Sequence, residues 1–390
     1  MPQPRSILVV IHYPVDVGYA VGRLVSVFYR MAVRLVGDAA NVHFSFTSLG
    51  DGSCDALPAQ FTNYTQFQPR GYDAESVERL VQYIRLHKID LLFGFDLGIE
   101  APYLKELRSA GIWTIVSYFG APLGSLLPTP LLALKRMEVK FLRPSKPDLI
   151  IVESKAMART ALGGRGIPRE MIRVVRNGVD LDRFRRIVAL HEMVFDQFQI
   201  PKGRSVILYM GHFHERKGVH VLLRAAIHIC KVLDRRNIHF LFLGTTARDI
   251  DRVERIVDVS AIRSNLTYGG YQSQIPELLS GCTLGCVPTT GWDSFPLSPL
   301  EMQAASLPVV VSDCQGLPET VEANVTGLVV PAGQPVALAE ALLTLIDDVP
   351  RRTRMGIAAR LRIENELSDE AQVDGLVAAV RDASALTARN

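Results

Sequence analysis

Two series of short apolar runs, each broken up by longer segments of helical periodicity, constrain this chain more than any other feature. The first series occupies 7–12, 42–46, 91–95, 114–117, 149–152 and 172–175; the second occupies 206–210, 239–243, 266–268, 284–287, 309–311 and 328–330. Uninterrupted β-branched and aliphatic runs of this length fit strands covered on both faces, as in parallel sheets. Helical periodicity fills 21–35, 74–87, 218–233, 299–305 and 335–346. Strands alternating with helices, joined by right-handed crossovers, give a doubly wound α/β sheet. Two series predict two such Rossmann-like domains facing a central cleft at the carboxyl ends of both sheets, where ligands of these sheets bind. The break falls near Asn177-Gly178, a turn signal followed by a polar stretch, so the expected domains are 1–180 and 181–390. Ser368, Asp369 and Glu370 read as the cap and acidic first turn of a last helix, which is free to cross back to the first domain.

With 390 residues, 48% hydrophobic and 21% charged, the chain suits two or three cores and is too apolar for disorder. No apolar run approaches the roughly 18 residues of a membrane span. The first residues enter a strand without the basic, apolar and small-residue pattern of a secretory signal. Cys54, Cys230, Cys282, Cys286 and Cys314 are scattered and odd in number, as for reduced thiols in a cytoplasmic protein. The net charge of +3 hides an asymmetry: residues 1–180 hold 21 Lys and Arg against 16 Asp and Glu, and residues 181–390 hold 22 against 24. That excess is too small for nucleic acid, and neither zinc-finger spacing nor an RNA-binding aromatic signature accompanies it. Residues 131–146 alternate five cations and one acid with large apolar side chains. This stretch either rests peripherally on an anionic membrane, at the inner face of the plasma membrane, or packs on its sheet as an ordinary helix with snorkelling lysines.

The segment 291–308 carries the richest chemistry. Phe295 to Ser298 sit where a helix should begin, and Pro299 suits a first helical position. Unpaired N–H groups there, and the helix dipole, favour an anion such as phosphate. Asp293 and Glu301 bracket the turn. The first suits sugar hydroxyls and the second both hydroxyls of a ribose; a capped helix with a surface carboxylate at each end is the alternative. In 209–220 a strand end passes through a turn into a basic helix start. Lys217 opposes the helix dipole there unless an anion sits nearby; the alternative is a solvated lysine. His212, His214 and His220 complete no tetrahedral set, and Asp180 with Asp182 lies in the presumed linker, so no metal is expected. Gly18, at the exit of the first strand, lets backbone approach a ligand. The glycine fingerprints of nicotinamide dehydrogenases, P-loop nucleotidases and α/β-hydrolases are not in the sequence.

Taken in order and spacing, Asn177-Gly178-Val179-Asp180, 211–218, 293–301, Leu307-Pro308-Val309-Val310, Gly316-Leu317-Pro318-Glu319 and Thr326-Gly327-Leu328 resemble family 4 of the retaining glycosyltransferases with the GT-B fold. The resemblance covers nearly the whole chain. It implies a nucleotide-sugar donor held mainly by the second domain, with UDP favoured over GDP, no cofactor, and a saccharide, lipid-linked or small-molecule acceptor. It also implies roles: Lys217 on the diphosphate, Phe295, Pro296 and Leu297 near the phosphates through their amides, Glu301 on the ribose, and Gly270 and Tyr271 beside the base. Gly211 opens the donor loop, and Gly18 matches the amino-terminal loop that approaches the phosphates.

Three positions depart from the family. Asp293 stands where the Glu-x7-Glu motif begins and is one methylene shorter. His212 replaces an arginine, so the diphosphate rests on Lys217, helped by Arg216 or a protonated His212. Phe119 falls where the family commonly places a histidine beside the reacting sugar, leaving that contact to Tyr118, Ser117 or another residue.

Cleaving the sugar–diphosphate bond builds charge that Lys217 and the helix amides stabilise away from water, while Asp293 orients the sugar hydroxyls. The resemblance implies attack by the acceptor hydroxyl on the leaving-group face, with its proton passing to a β-phosphate oxygen and the anomeric configuration retained. A nucleotide-sugar-binding protein without transfer and a GT-B sugar-nucleotide epimerase are the alternatives.

Overall fold

The computed structural model describes residues 4–50, 52–99, 101–141 and 146–387. The chain divides into two compact units, 1–176 together with 370–390, and 177–369. In the first, β1 (Ile7–Val10), β2 (Val42–Phe46), β3 (Tyr64–Gln66), β4 (Leu91–Phe95), β5 (Thr114–Phe119), β6 (Leu149–Val152) and β7 (Ile172–Val174) form one sheet in the order β3-β2-β1-β4-β5-β6-β7. Every pairing in it is parallel. All residues of β1, β2, β4, β5 and β6 are buried, which is why these strands read as continuous apolar runs. The sequence reading has no counterpart to β3: it is a three-residue edge strand, Tyr-Thr-Gln, and only half-buried.

The helix Tyr19–Val36 sets Val25, Phe28, Met31, Ala32 and Leu35 on this sheet at helical spacing. The helix Asp369–Thr387 adds Val373, Leu376, Val380 and Ala383 to the same core. Arg34 holds Asp374 at 2.6 Å and Arg173 holds Asp382 at 3.0 Å.

In the second unit, β8 (Ser205–Met210), β9 (Ile238–Leu243), β10 (Leu266–Gly270), β11 (Leu284–Val287), β12 (Val309–Ser312) and β13 (Gly327–Val330) run parallel in the order β10-β9-β8-β11-β12-β13. In both sheets the order reverses beside the first strand of the series, between β1 and β4 and between β8 and β11. Loops leaving the carboxyl ends of those neighbours diverge to opposite faces and open a crevice.

The helix Thr129–Phe141 buries Val139 and leaves other apolar side chains exposed. Leu131, Leu134 and Met137 are 53%, 65% and 60% exposed, one turn apart along the helix. Residues 142–145 of that amphipathic stretch lie outside the described residues. All five cysteines are buried and unbridged. Among the described residues, no helix is long and apolar enough to cross a membrane.

Candidate active site

The loops after β8 and β11 are bound to each other. The carbonyl of Arg216 accepts the N–H groups of Thr290 at 2.8 Å and Gly291 at 3.0 Å. A 3-10 turn, Glu215–Lys217, ends at Gly218 with φ of +73°. A Cβ at that position would lie 1.8 Å from the Pro288 carbonyl oxygen, so only glycine allows this approach. The result is a close ion pair: Lys217 Nζ stands 2.7 Å from Asp293 Oδ2, with side chains 18% and 6% exposed. Thr289 Oγ1 donates to the same carboxylate oxygen at 3.0 Å.

The helix Leu297–Ala304 starts from Pro296 in extended geometry. Its first-turn amides at Leu297 and Ser298 have no partner within the helix, and Pro299 at the third position has no N–H to lose. Pro296 also lacks an N–H, which corrects its expected place among the phosphate-binding amides. Phe295 is fully buried, and its carbonyl accepts the Asn177 side-chain amide at 2.8 Å. Asn177, whose role the sequence did not disclose, thus anchors the approach to the helix. Glu301 is 4% exposed and lies in the second turn of this helix.

Arg216 is engaged elsewhere: its guanidinium lies 4.0 Å over the Trp292 ring and donates to the Trp292 carbonyl at 2.7 Å. It braces the 291–293 turn in this structure. His212 Nδ1 lies 3.0 Å from the Tyr271 hydroxyl, linking the loops after β8 and β10. Gly211 and Gly270 close the ends of β8 and β10: Gly211 N–H bonds the Leu243 carbonyl at 3.1 Å, and Gly270 C=O accepts Gly244 N–H at 2.7 Å. Thr245, beside them at the end of β9, buries a hydroxyl with no partner among the described residues. Neither Thr245 nor Thr289 belongs to a motif that sequence spacing could flag. Asp180 caps a turn by accepting the N–H groups of Asp182 and Arg183. Among the described residues, no group of three His, Cys, Asp or Glu is placed to hold a metal ion.

Gly18 lies in the other unit, as the N-cap of the helix Tyr19–Val36 with φ of −68°, and a Cβ there would meet nothing within 4 Å. At the edge of β5, Phe119 is buried. The Tyr118 hydroxyl donates to Glu153 at 3.0 Å and Ser117 Oγ donates to the Leu97 carbonyl at 2.9 Å. Both side chains bond inward, so neither takes over the contact expected of a histidine at 119.

Two family models match the chain: "Glycosyltransferase Family 4" over residues 24–183 and "Glycosyl transferases group 1" over residues 192–362. The D-inositol 3-phosphate glycosyltransferase of Nocardia farcinica is 27% identical over 224 residues, covering 55% of this chain and 48% of that protein. The chain spans about half the length of the curated relatives it matches. Among solved structures, HepE of Anabaena in complex with UDP has a TM-score of 0.75 at 17% identity, over 95% of this chain and 97% of that one. A glycosyltransferase from Rickettsia africae has a TM-score of 0.79 at 16% identity, over 97% and 99%. At those identities the likeness carries the fold. With one family model on each sheet and this fold throughout, the chain belongs to family 4 of the glycosyltransferases, the group 1 glycosyl transferases of GT-B fold.

Proposed function

We propose that this chain is a retaining, metal-independent glycosyltransferase that moves a hexose from a nucleotide-sugar to an acceptor hydroxyl in glycan or glycoconjugate biosynthesis. The observation that carries this reading is the Lys217–Asp293 ion pair at the switch point of the second sheet, beside the start of the helix Leu297–Ala304. Lys217 and the amides of Leu297 and Ser298 stabilise charge growing on the leaving diphosphate, at about 2–4 kcal/mol for each charge-assisted contact. Asp293, released from Lys217 by the arriving phosphates, turns to the sugar hydroxyls. Glu301 takes the ribose, and Gly270 and Tyr271 flank the base. UDP is the favoured nucleotide, supported by the structures of HepE with UDP and with UDP-glucose.

The acceptor is a saccharide, a lipid-linked saccharide or a small polyol. The exposed stripe Leu131, Leu134 and Met137, next to Lys135 and Arg136, supports peripheral contact with an anionic cytoplasmic membrane face. Co-sedimentation with anionic but not zwitterionic vesicles tests that contact.

The test of function is a donor panel read by thermal shift, since a ligand of the native state stabilises it. UDP release is then assayed across an acceptor panel. UDP-sugars should raise the unfolding temperature, and Lys217→Ala should cut turnover about a hundredfold or more. Binding without turnover marks a nucleotide-sugar-binding protein. Donor converted to an isomer without acceptor marks an epimerase. Stabilisation by no nucleotide refutes the donor site.

A further inference from the structure

The Gly316-Leu317-Pro318-Glu319 motif has no role in holding the donor. The segment leading into it, 312–316, carries β12 past its carboxyl end. Its residues alternate in what they hold. Ser312 Oγ donates to the Thr289 carbonyl, Cys314 Sγ donates to the Gly291 carbonyl at 2.7 Å, and Gly316 N–H donates to the Asp293 carbonyl at 3.1 Å. Asp313 turns the other way: its N–H bonds the Val330 carbonyl at 2.8 Å, and its Oδ1 accepts the Ala332 N–H at 2.8 Å. Gln315 has φ of +48°, a left-handed conformation that non-glycine residues take at a cost. Every second residue of one segment thus holds every second carbonyl of the other, which is the period of extended backbone.

The held segment is the loop after β11 that leads to Asp293, and it is gripped from both sides. On the β8 side, the Arg216 carbonyl takes the N–H groups of Thr290 and Gly291, and a Cβ on Gly291 would lie 2.4 Å from the Arg216 Cβ. On the β12 side, Ser312 fixes Thr289, whose hydroxyl donates to Asp293 Oδ2 at 3.0 Å. Cys314 is the middle rung. Gly291 is therefore held through its N–H by one neighbour and through its C=O by the other. A thiol is a weak donor. This one keeps its proton: burial pushes the Cys314 thiol up, and the Asp293 and Asp313 carboxylates add to that. Groups that support the backbone of a functional side chain set its geometry to fractions of an ångström.

We propose that Cys314 is a positioning residue for glycosyl transfer: its thiol clamps the Gly291 carbonyl and so fixes the turn from which Asp293 reaches the donor sugar. The thiol touches no substrate and acts through the backbone of 291–293. This assignment rests on the glycosyl-transfer reading and explains why the segment before the 316–319 motif lies against the Asp293 loop.

The experiment compares the full-length wild type with Cys314→Ala, which removes the donor, and Cys314→Ser, which keeps one. UDP release from UDP-glucose is measured with a panel of methyl hexosides and myo-inositol, and UDP affinity is measured by calorimetry. Cys314→Ala should lower kcat about tenfold, since a small misplacement of a reacting group is enough for that. UDP should bind it no more weakly than the wild type, because UDP carries no sugar for Asp293 to hold. Cys314→Ser should recover to within about threefold of the wild-type kcat, as a hydroxyl restores the bond. An unchanged kcat in Cys314→Ala, no recovery in a folded Cys314→Ser, or a UDP affinity that falls in parallel overturns the assignment.

A wild type that turns over no donor removes the transfer reading, and the hold of Cys314 on the loop is then judged by fluorescence. The chain has two tryptophans, Trp113 and Trp292, so Trp113→Phe leaves Trp292, between Gly291 and Asp293, as the reporter. Trp292 is 39% exposed beneath the Arg216 guanidinium, so a loosened loop has room to raise its acrylamide quenching about twofold. A rise in Cys314→Ala that is absent from Cys314→Ser upholds the hold. Equal quenching in all three proteins overturns it.

Discussion

The ion pair between Lys217 and Asp293 makes a counterintuitive prediction for Asp293→Asn. In the absence of donor, Lys217 Nζ is held at 2.7 Å by the carboxylate that the proposed mechanism assigns to the sugar. A diphosphate that recruits Lys217 must compete with that carboxylate and lie near its charge. With a phosphate oxygen about 5 Å away and an effective dielectric of about 20, the repulsion is about 3 kcal/mol per pair of unit charges. Screening and relaxation reduce this to about 1–2 kcal/mol, or roughly tenfold in Kd. Asparagine has nearly the same volume and keeps an oxygen for the Thr289 hydroxyl, so the loop stays in place. Asp293→Asn should therefore bind UDP about tenfold more tightly by calorimetry. It should also lose about tenfold to a hundredfold in UDP release from UDP-sugar, because the sugar hydroxyls lose a charged acceptor. Weaker UDP binding in a variant that unfolds at the wild-type temperature refutes the argument, since Lys217 would then serve the fold and not the phosphates.

Most strands were legible because a strand buried on both faces is mostly apolar, with few polar residues such as His43, Ser45 and His239 among them. Twelve apolar runs correspond to strands here, two of them the partly buried β7 and β10, and β3 escaped because an edge strand of three half-buried residues has no apolar run to show. The loops at the second switch point were legible as segments and not as partners. Lys217 and Asp293 are 76 positions apart, and Asn177 and Phe295 are 118 apart. Their contacts are products of strand order, which the alternation of runs leaves open. Arg216 illustrates the opposite error: a cation beside Lys217 reads as a phosphate ligand until Trp292 is seen beneath it. Cys314 belongs to no motif, and only the adjacency of β11 and β12 brings it to Gly291.

Three further outcomes can be checked. Glu301→Ala should weaken donor binding by about 1–3 kcal/mol by calorimetry, and normal affinity contradicts the ribose assignment. Gly218→Ala adds left-handed strain and a Cβ 1.8 Å from the Pro288 carbonyl oxygen. It should lose about 3 kcal/mol or more in urea unfolding, and near-native stability would show that the loops after β8 and β11 can part. His239→Asn should flatten the acid side of the stability profile. His239 is buried, its Nδ1 accepts from Arg204 at 3.3 Å, and its Nε2 lies 2.8 Å from Thr267 Oγ1. Burial, with Arg204 adding to it, pulls the ring from 6.5 down to about 4. The unfolded chain therefore binds more protons between those values, and stability rises with pH across the window. The contribution is complete above about pH 6.5 and is lost as pH falls towards about 4, reaching about 2 kcal/mol of loss at pH 5. His43, also lowered to about 4, carries its own share in the other unit. Urea unfolding at pH 7.5 and 5.0 should therefore show the variant losing about 2 kcal/mol less than the wild type over that interval. An equal loss in both proteins would mean that His239 takes up its proton in the folded state as easily as in the unfolded chain, against the bond from Arg204.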